Sequence, residues 1–223
     1  MVAVLETVIE LINVSGGGDC ILSNYGSMRD VISPIDYKLK PGIYIFEGEC
    51  ATGGWALSTL LTGQNKLSSG SISIDDRELQ QIQLQRIGCY VGQEPKIKKW
   101  FGTTEMTVSE QIFYGVSHGL SYSNSVLYIK NIFHLSDERF NRKWKYISGE
   151  RWRASIAVGY AMGKSIYCFP WMNSNTVVKL NSILLDCIPP LIDVGAIILM
   201  PTTDYQRVSN VFEKYNPIIF GNT

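Results

Sequence analysis

Hydrophobic and polar positions along the first 50 residues read as strands. "VLETVIELINV" (4–14) is rich in β-branched residues and ends at "SGGGD" (15–19), which predicts a strand, a flexible turn and a resumption at "CILSNY". "IDYKLKPGIYIFEGE" then alternates, turns at Pro41-Gly42 and runs as the short apolar strand "IYIF" into a glycine-rich stretch. "WALSTLL" beyond it suits a buried helix, and "SGSISIDD" and "RIGCYVGQEP" suit two further strands.

From about Glu94 to Arg153 the pattern becomes aromatic and polar, with "TVSEQIFYGV" and "NSVLYIKNIFHL" as its helical pieces. "RWRASIAVGYAM" predicts a helix, "SIYCF" a buried strand, "NTVVKLNSILLDCI" one amphipathic helix, "VGAIILM" another buried strand and "DYQRVSNVFEKY" a last helix. Strands alternating with helices predict an α/β domain with a mostly parallel core sheet. No internal repeat or low-complexity segment is present.

Composition narrows the function classes. The 223 residues suit one domain, or one domain with a lobe. Twenty basic and 20 acidic residues give zero formal charge, which argues against a nucleic-acid binder working by counterion release. No Lys/Arg run marks a membrane-binding patch, and "VGAIILM" is far short of the roughly 20 apolar residues that span a bilayer. "MVAVLETVIE" carries acids and no basic start, so it does not read as a signal peptide. Cys20, Cys50, Cys89, Cys168 and Cys187 form no CxxC pair, which points to a reducing cytosol. His118 and His134 leave little for a zinc or iron site and read as surface or packing residues.

The chemistry-bearing stretch is "GECATGGWALSTLLTG" (48–63), which has the rhythm of a phosphate-binding loop opening a helix. Together with "LSSGSISIDD", "RIGCYVGQEP", "MTVSEQI", "YISGERWRASIAVGYAMGKSIYCFPWMNS" and "AIILMPTTD", it resembles, in order and interval, the ATP-binding subunit of ABC transporters from about residue 4 to 215. The resemblance implies a P-loop NTPase-like ABC ATPase fold: a mostly parallel core sheet, an N-terminal antiparallel β-subdomain and a helical lobe. It divides a single domain, 1–223, into core and β-subdomain at 1–93 and 154–223, and a lobe at 94–153 ending in the signature-like segment.

The resemblance also locates the departures. Gly54 stands at the lysine that neutralises phosphate charge, and Trp55 and Ala56 where hydroxyls would hold Mg²⁺. Trp55 either fills the phosphate cavity or packs under the sheet. Pro170 and Trp171 stand at the Walker B aspartate and catalytic glutamate, Val177 at the D-loop aspartate, and Thr203 at the switch histidine with Asp204 kept behind it. Hydrolysis by the chain's own site is therefore not expected: no enzyme, no catalytic residue, no resident metal. Gly54→Asp is expected to be silent. Gln93 stands at the Q-loop glutamine, whose remaining use is contact with the permease. "YISGE" puts Ser148, Gly149 and Glu150 at the signature, to contact ATP held by a partner, with Arg153 also matching. In this reading Ser148 and Gly149 open a helix, with Ser148 either a phosphate contact or an ordinary N-cap.

What the resemblance implies is a non-catalytic nucleotide-binding-domain subunit of a bacterial-type transporter. It would pair with an intact ABC ATPase subunit and dock through its lobe on a separate, multispanning permease. No cofactor is bound tightly by the chain; ATP and Mg²⁺ are held mainly by the partner, and the protein sits at the cytoplasmic face of the membrane through the permease. The alternative is a soluble regulatory or interaction protein with the same fold. A third reading, an enzyme or nucleotide sensor, would use Glu49, Glu94 and Asp204 in the old cleft.

Overall fold

The computed structural model describes residues 8–22, 26–94 and 105–221. In chain order the strands are β1 (Ile9–Leu22), β2 (Gly26–Leu39), β3 (Gly42–Glu47), β4 (Leu67–Ile74), β5 (Arg77–Glu78), β6 (Gly88–Tyr90), β7 (Ile166–Cys168), β8 (Ile197–Thr202) and β9 (Ile218–Gly221). The helices are α1 (Gly54–Leu61), α2 (Gln81–Ile87), α3 (Val108–Ser117), α4 (Val126–Ile132), α5 (Asp137–Phe140), α6 (Arg151–Ala161), α7 (Ser174–Lys179), α8 (Asn181–Asp193) and α9 (Ser209–Phe212).

Strands β6-β7-β8-β3-β9 form a sheet in which each neighbouring pair is parallel. Strands β3, β6, β7 and β8 are short apolar runs covered on both faces, whereas the edge strand β9 is largely exposed. Alternate side chains along β3 and β8 go to two different cores. Ile43 and Ile45 of β3 and Ile198 and Met200 of β8 join the core that includes Ala157, Leu184 and Leu191 of α6 and α8. Tyr44, Phe46, Ile197 and Leu199 face the other way, toward Leu57 and Leu60 of α1. There the second, antiparallel sheet, β2-β1-β4-β5, closes the layer with Ile9, Leu11, Ile32 and Ile72.

In the lobe, α3 opens on a capping box between Thr107 and Glu110. It crosses α6 so closely that a Cβ on Gly115 would lie 2.1 Å from the Ala161 carbonyl oxygen. Ile129, Phe133, Phe140 and Ile147 fill the space between lobe and core.

Several local expectations are corrected. "SGGGD" does not turn; β1 runs straight through it, with register irregularities between Leu11 and Val14 and between Val14 and Gly16. Gly17, at φ 151°, would put a Cβ 2.1 Å from the Asp30 carbonyl oxygen, so glycine here serves close approach between strands rather than reversal. Of "CILSNY", residues 23–25 lie outside the described residues, as do residues 95–104 at the start of the lobe. "NTVVKLNSILLDCI" is two helices, since α7 is capped by Leu180 and α8 begins anew and continues through Pro189 and Pro190. "DYQRVSNVFEKY" is α9 flanked by 3₁₀ turns. The short elements α2, α5 and β9 carried too little periodic signal to be predicted.

Candidate functional site

Strand β3 ends at Glu47, and the chain loops through Gly48–Gly53 into α1. Gly53 takes φ 102°, a left-handed conformation that glycine adopts at no steric cost. At the N-terminus of α1 the unpaired backbone amides favour an anion. That anion is supplied by the chain itself. The Gly53 N–H donates to Asp30 Oδ1 at 2.6 Å and the Ala56 N–H to Asp30 Oδ2 at 2.9 Å, and Asp30 is only 1% exposed.

The place expected for a lysine side chain is also filled. A Cβ built on Gly54 would lie 2.8 Å from Pro201 Cβ, 3.1 Å from Phe46 Cδ1 and 3.5 Å from Trp171 Cδ1. The expectation that Gly54→Asp is silent is thereby corrected: any side chain at this buried position collides with β8. Trp171, 5% exposed, donates its indole N–H to the Gly48 carbonyl at 2.9 Å, and Ser58 donates to the Phe169 carbonyl at 2.7 Å. Loop, α1 and the chain after β7 are thus joined by internal hydrogen bonds. Trp55 is partly exposed and joins neither hydrophobic core; the indole behind the loop is that of Trp171.

Magnesium-ATP does not fit these residues. No side chain at Gly54 or Ala56 neutralises a phosphate or ligates a metal, and the Gly53 and Ala56 amides already serve a carboxylate. The adjoining cleft, about 520 Å³, has the wrong charge. Its lining includes Glu47, Glu49, Thr203 and Asp204, with Arg207 as its cation. Arg207 Nε is paired with Asp204 Oδ2 at 3.2 Å. Thr203 Oγ1 accepts from the Ser174 N–H at 3.1 Å, holding the start of α7. Val177, on α7, is fully buried in the core.

Glu49 and Asp204 therefore share a cleft, but Glu94 does not join them. It accepts from Gln111 Nε2 at 3.3 Å, and burial raises its pKa, partly offset by that hydrogen bond. Among the described residues no group of three His, Cys, Asp or Glu is placed to hold a metal.

The signature-like residues lie at the start of α6. Ser148–Glu150 form a 3₁₀ turn, and α6 opens only at Arg151, with Glu150 rather than Ser148 at its N-cap. Ser148 therefore makes no side-chain cap; Arg151 Nε donates to its carbonyl at 3.1 Å. Ser148 and Gly149 are exposed, and a Cβ on Gly149 would meet nothing within 4 Å. Glu150 accepts from the Ser136 N–H at 3.4 Å, linking the turn to the cap of α5. Arg153 faces inward: its guanidinium pairs with Asp186 at 2.6 Å and donates to the Phe133 carbonyl at 3.4 Å.

Gln93 is exposed in the turn after β6. That turn is tied to α6, because the Gly92 N–H donates to Ser155 Oγ at 2.7 Å and the Ser155 hydroxyl donates to the Trp152 carbonyl at 2.9 Å. Sequence reasoning passed over Asp30 and Ser155. Asp30 had a readable signal: in "SMRDVIS" it shares strand parity with Ile32, so it is an acid on an inward-facing position.

No protein-family profile matches the chain. It is similar to the ribose import ATP-binding protein RbsA of Bacillus licheniformis, 32% identical over 138 residues, covering 59% of this chain and 26% of that protein. It is also similar to an ABC transporter ATP-binding protein of Mycoplasma genitalium, 26% identical over 168 residues, covering 72% of this chain and 61% of that one. The chain thus spans 26% and 61% of the lengths of these curated relatives. Among solved structures it resembles cbiO1 of Clostridium perfringens, part of the ABC transporter complex cbiONQ. The TM-score is 0.62 at 15% identity, covering 97% of this chain and 84% of that chain. It also resembles a dimeric ATP-binding cassette bound to ADP and Pi in a post-hydrolysis state, with a TM-score of 0.60 at 16% identity, covering 92% and 91% of the two chains. The fold is that of the ABC ATPase cassette, and the relatives are ABC transporter ATP-binding proteins.

Proposed function

We propose that the chain is a catalytically inactive nucleotide-binding-domain subunit of an ABC transporter. It pairs with an intact ATPase subunit, docks on a separate permease and so lies at the cytoplasmic face of the membrane. The observation that carries this reading is the contrast between its two nucleotide-facing surfaces. The loop is filled from within by Asp30, Pro201 and Trp171, whereas Ser148 and Gly149 stay exposed with open space beside the glycine. Loss of a catalytic base alone costs about 10²–10⁴-fold in rate. Here the phosphate-neutralising cation and the metal ligands are missing as well, so turnover depends on the partner's residues.

In such a pair, Ser148 and Gly149 approach ATP held in the partner's loop, and the turn bearing Gln93 faces the permease. Because Gly149 has no neighbour within 4 Å, Gly149→Asp leaves this chain's own packing intact. Its carboxylate is expected to repel the partner-bound phosphates and to lower the complex's ATPase rate without preventing assembly. The test is purification from native membranes with mass identification of bound chains, followed by ATPase assays of wild-type and Gly149→Asp complexes. Recovery as a monomer or symmetric homodimer, with no permease, replaces this reading with that of a soluble regulator.

A further inference from the structure

We propose that Asp30 is a built-in occupant of the glycine loop: an internal carboxylate that holds the anion position and closes the loop to phosphate-bearing ligands. Three observations converge. The first is direct geometry: one carboxylate spans the Gly53 and Ala56 amides at 2.6 and 2.9 Å while being 1% exposed. These are charge-assisted bonds of ordinary short length, placed where α1 presents its unpaired donors.

The second is that β2 lies along the loop as a continuous latch. The Cys50 thiol meets Met28 Sδ at 3.5 Å, Asp30 takes the two amides, and a Cβ on Gly53 would lie 3.1 Å from Ile32. The strand thus holds the carboxylate at the two amides, and a phosphate entering the loop would have to displace that carboxylate.

The third is the glycine run in β1. Gly17 pairs with Val31 and Gly18 with Asp30, and a side chain on Gly17 would collide with the Asp30 carbonyl at 2.1 Å. "SGGGD" thus lets β1 and β2 approach closely where Asp30 is delivered to the loop. Sequence, strand register and loop conformation all serve one contact.

The inference rests on the reading that this loop holds no nucleotide, but not on the pairing. The test uses the purified full chain, inorganic phosphate as probe, and ¹⁵N-glycine and ¹⁵N-alanine labelling to follow the Gly53 and Ala56 amides. Asp30→Ala is expected to lower the melting temperature by on the order of 10 °C, since two charge-assisted bonds are lost. Millimolar phosphate should then recover part of the loss and shift both amide resonances, whereas in wild type the same phosphate should do neither. An Asp30→Ala protein that folds but ignores phosphate overturns the built-in occupant while leaving the empty-loop reading intact. Phosphate-dependent shifts of Gly53 and Ala56 in wild type overturn both. If Asp30→Ala does not fold, hydrogen exchange in wild type decides: protected Gly53 and Ala56 amides are expected, and rapid exchange at both refutes the contact.

Discussion

Gly54→Ala opposes two well-defined forces, and the packing predicts which one wins. Gly54 is the first residue of α1 and has no positive φ, so its backbone accepts alanine without strain. Helix propensity alone would then favour alanine by up to about 1 kcal/mol. Packing says the opposite. The new Cβ lies 2.8 Å from Pro201 Cβ and 3.1 Å from Phe46 Cδ1, against carbon contacts of about 3.5–4.0 Å at their optimum. Pro201 belongs to the buried strand β8, and its carbonyl accepts from the Met172 N–H at 3.2 Å, so it cannot withdraw freely. Overpacking of this kind costs about 1–3 kcal/mol, which for a chain of this size lowers the melting temperature by roughly 2–12 °C. Urea and thermal denaturation of Gly54→Ala, Pro201→Gly and the double variant complete the cycle. Pro201→Gly removes the opposing Cβ, so the double variant should be more stable than the sum of the single effects by about 1 kcal/mol or more. Additive effects, or a Gly54→Ala protein as stable as wild type, would refute the claim that the lysine place is filled.

Three further outcomes follow from buried and half-buried groups. Asp186→Ala should reduce stability by about 1–2 kcal/mol in urea denaturation, because it removes the charge partner of the inward-facing Arg153 and leaves it, among the described residues, the Phe133 carbonyl alone. The ATPase rate of an assembled complex should not change, since Arg153 faces the core rather than a phosphate. Burial raises the Cys168 thiol well above its ordinary range and pushes Cys89 and Cys187 each up to about 12, so in native protein at pH 8 Cys50 should label faster than these three with a maleimide. The same shifts give the alkaline limb. Below the unfolded thiol value, about 8.5, the three thiols leave stability unchanged with pH. Above it the unfolded chain alone releases protons, and stability falls by about 1.4 kcal/mol per pH unit per thiol until the folded thiol ionises. Lys164, whose pKa burial lowers, works in the opposite sense, because the folded state gives up its proton first and relieves a desolvation penalty as pH rises toward 10.5. Urea midpoints between pH 7 and 10 check the balance; with three thiols against one lysine, a net decline is expected above about pH 9.

The order and type of the main elements were legible because they are local properties. Short continuous apolar runs at "IYIF" and "AIILM" and a helix directly after a glycine loop specified the parallel sheet, and the order and interval of the motifs, through the resemblance they carry, gave the antiparallel β-subdomain and the cassette fold. The chain alone also showed which residue types stand at the loop, after β7 and after β8. How those positions are filled was decided only by tertiary structure. Asp30 reaches the loop from 23 residues upstream, and Trp171 reaches Gly48 across 123 residues. "SGGGD" looked like a turn because glycine permits one, yet glycine equally permits a neighbouring strand to come within contact, and only that strand's register distinguishes the two uses. Gly54 looked silent for the same reason: the effect of an absent side chain is set by what packs into its place, here Pro201 and Phe46 from two other segments. A one-dimensional pattern carries propensity and period, whereas the occupancy of a site depends on contacts between distant segments.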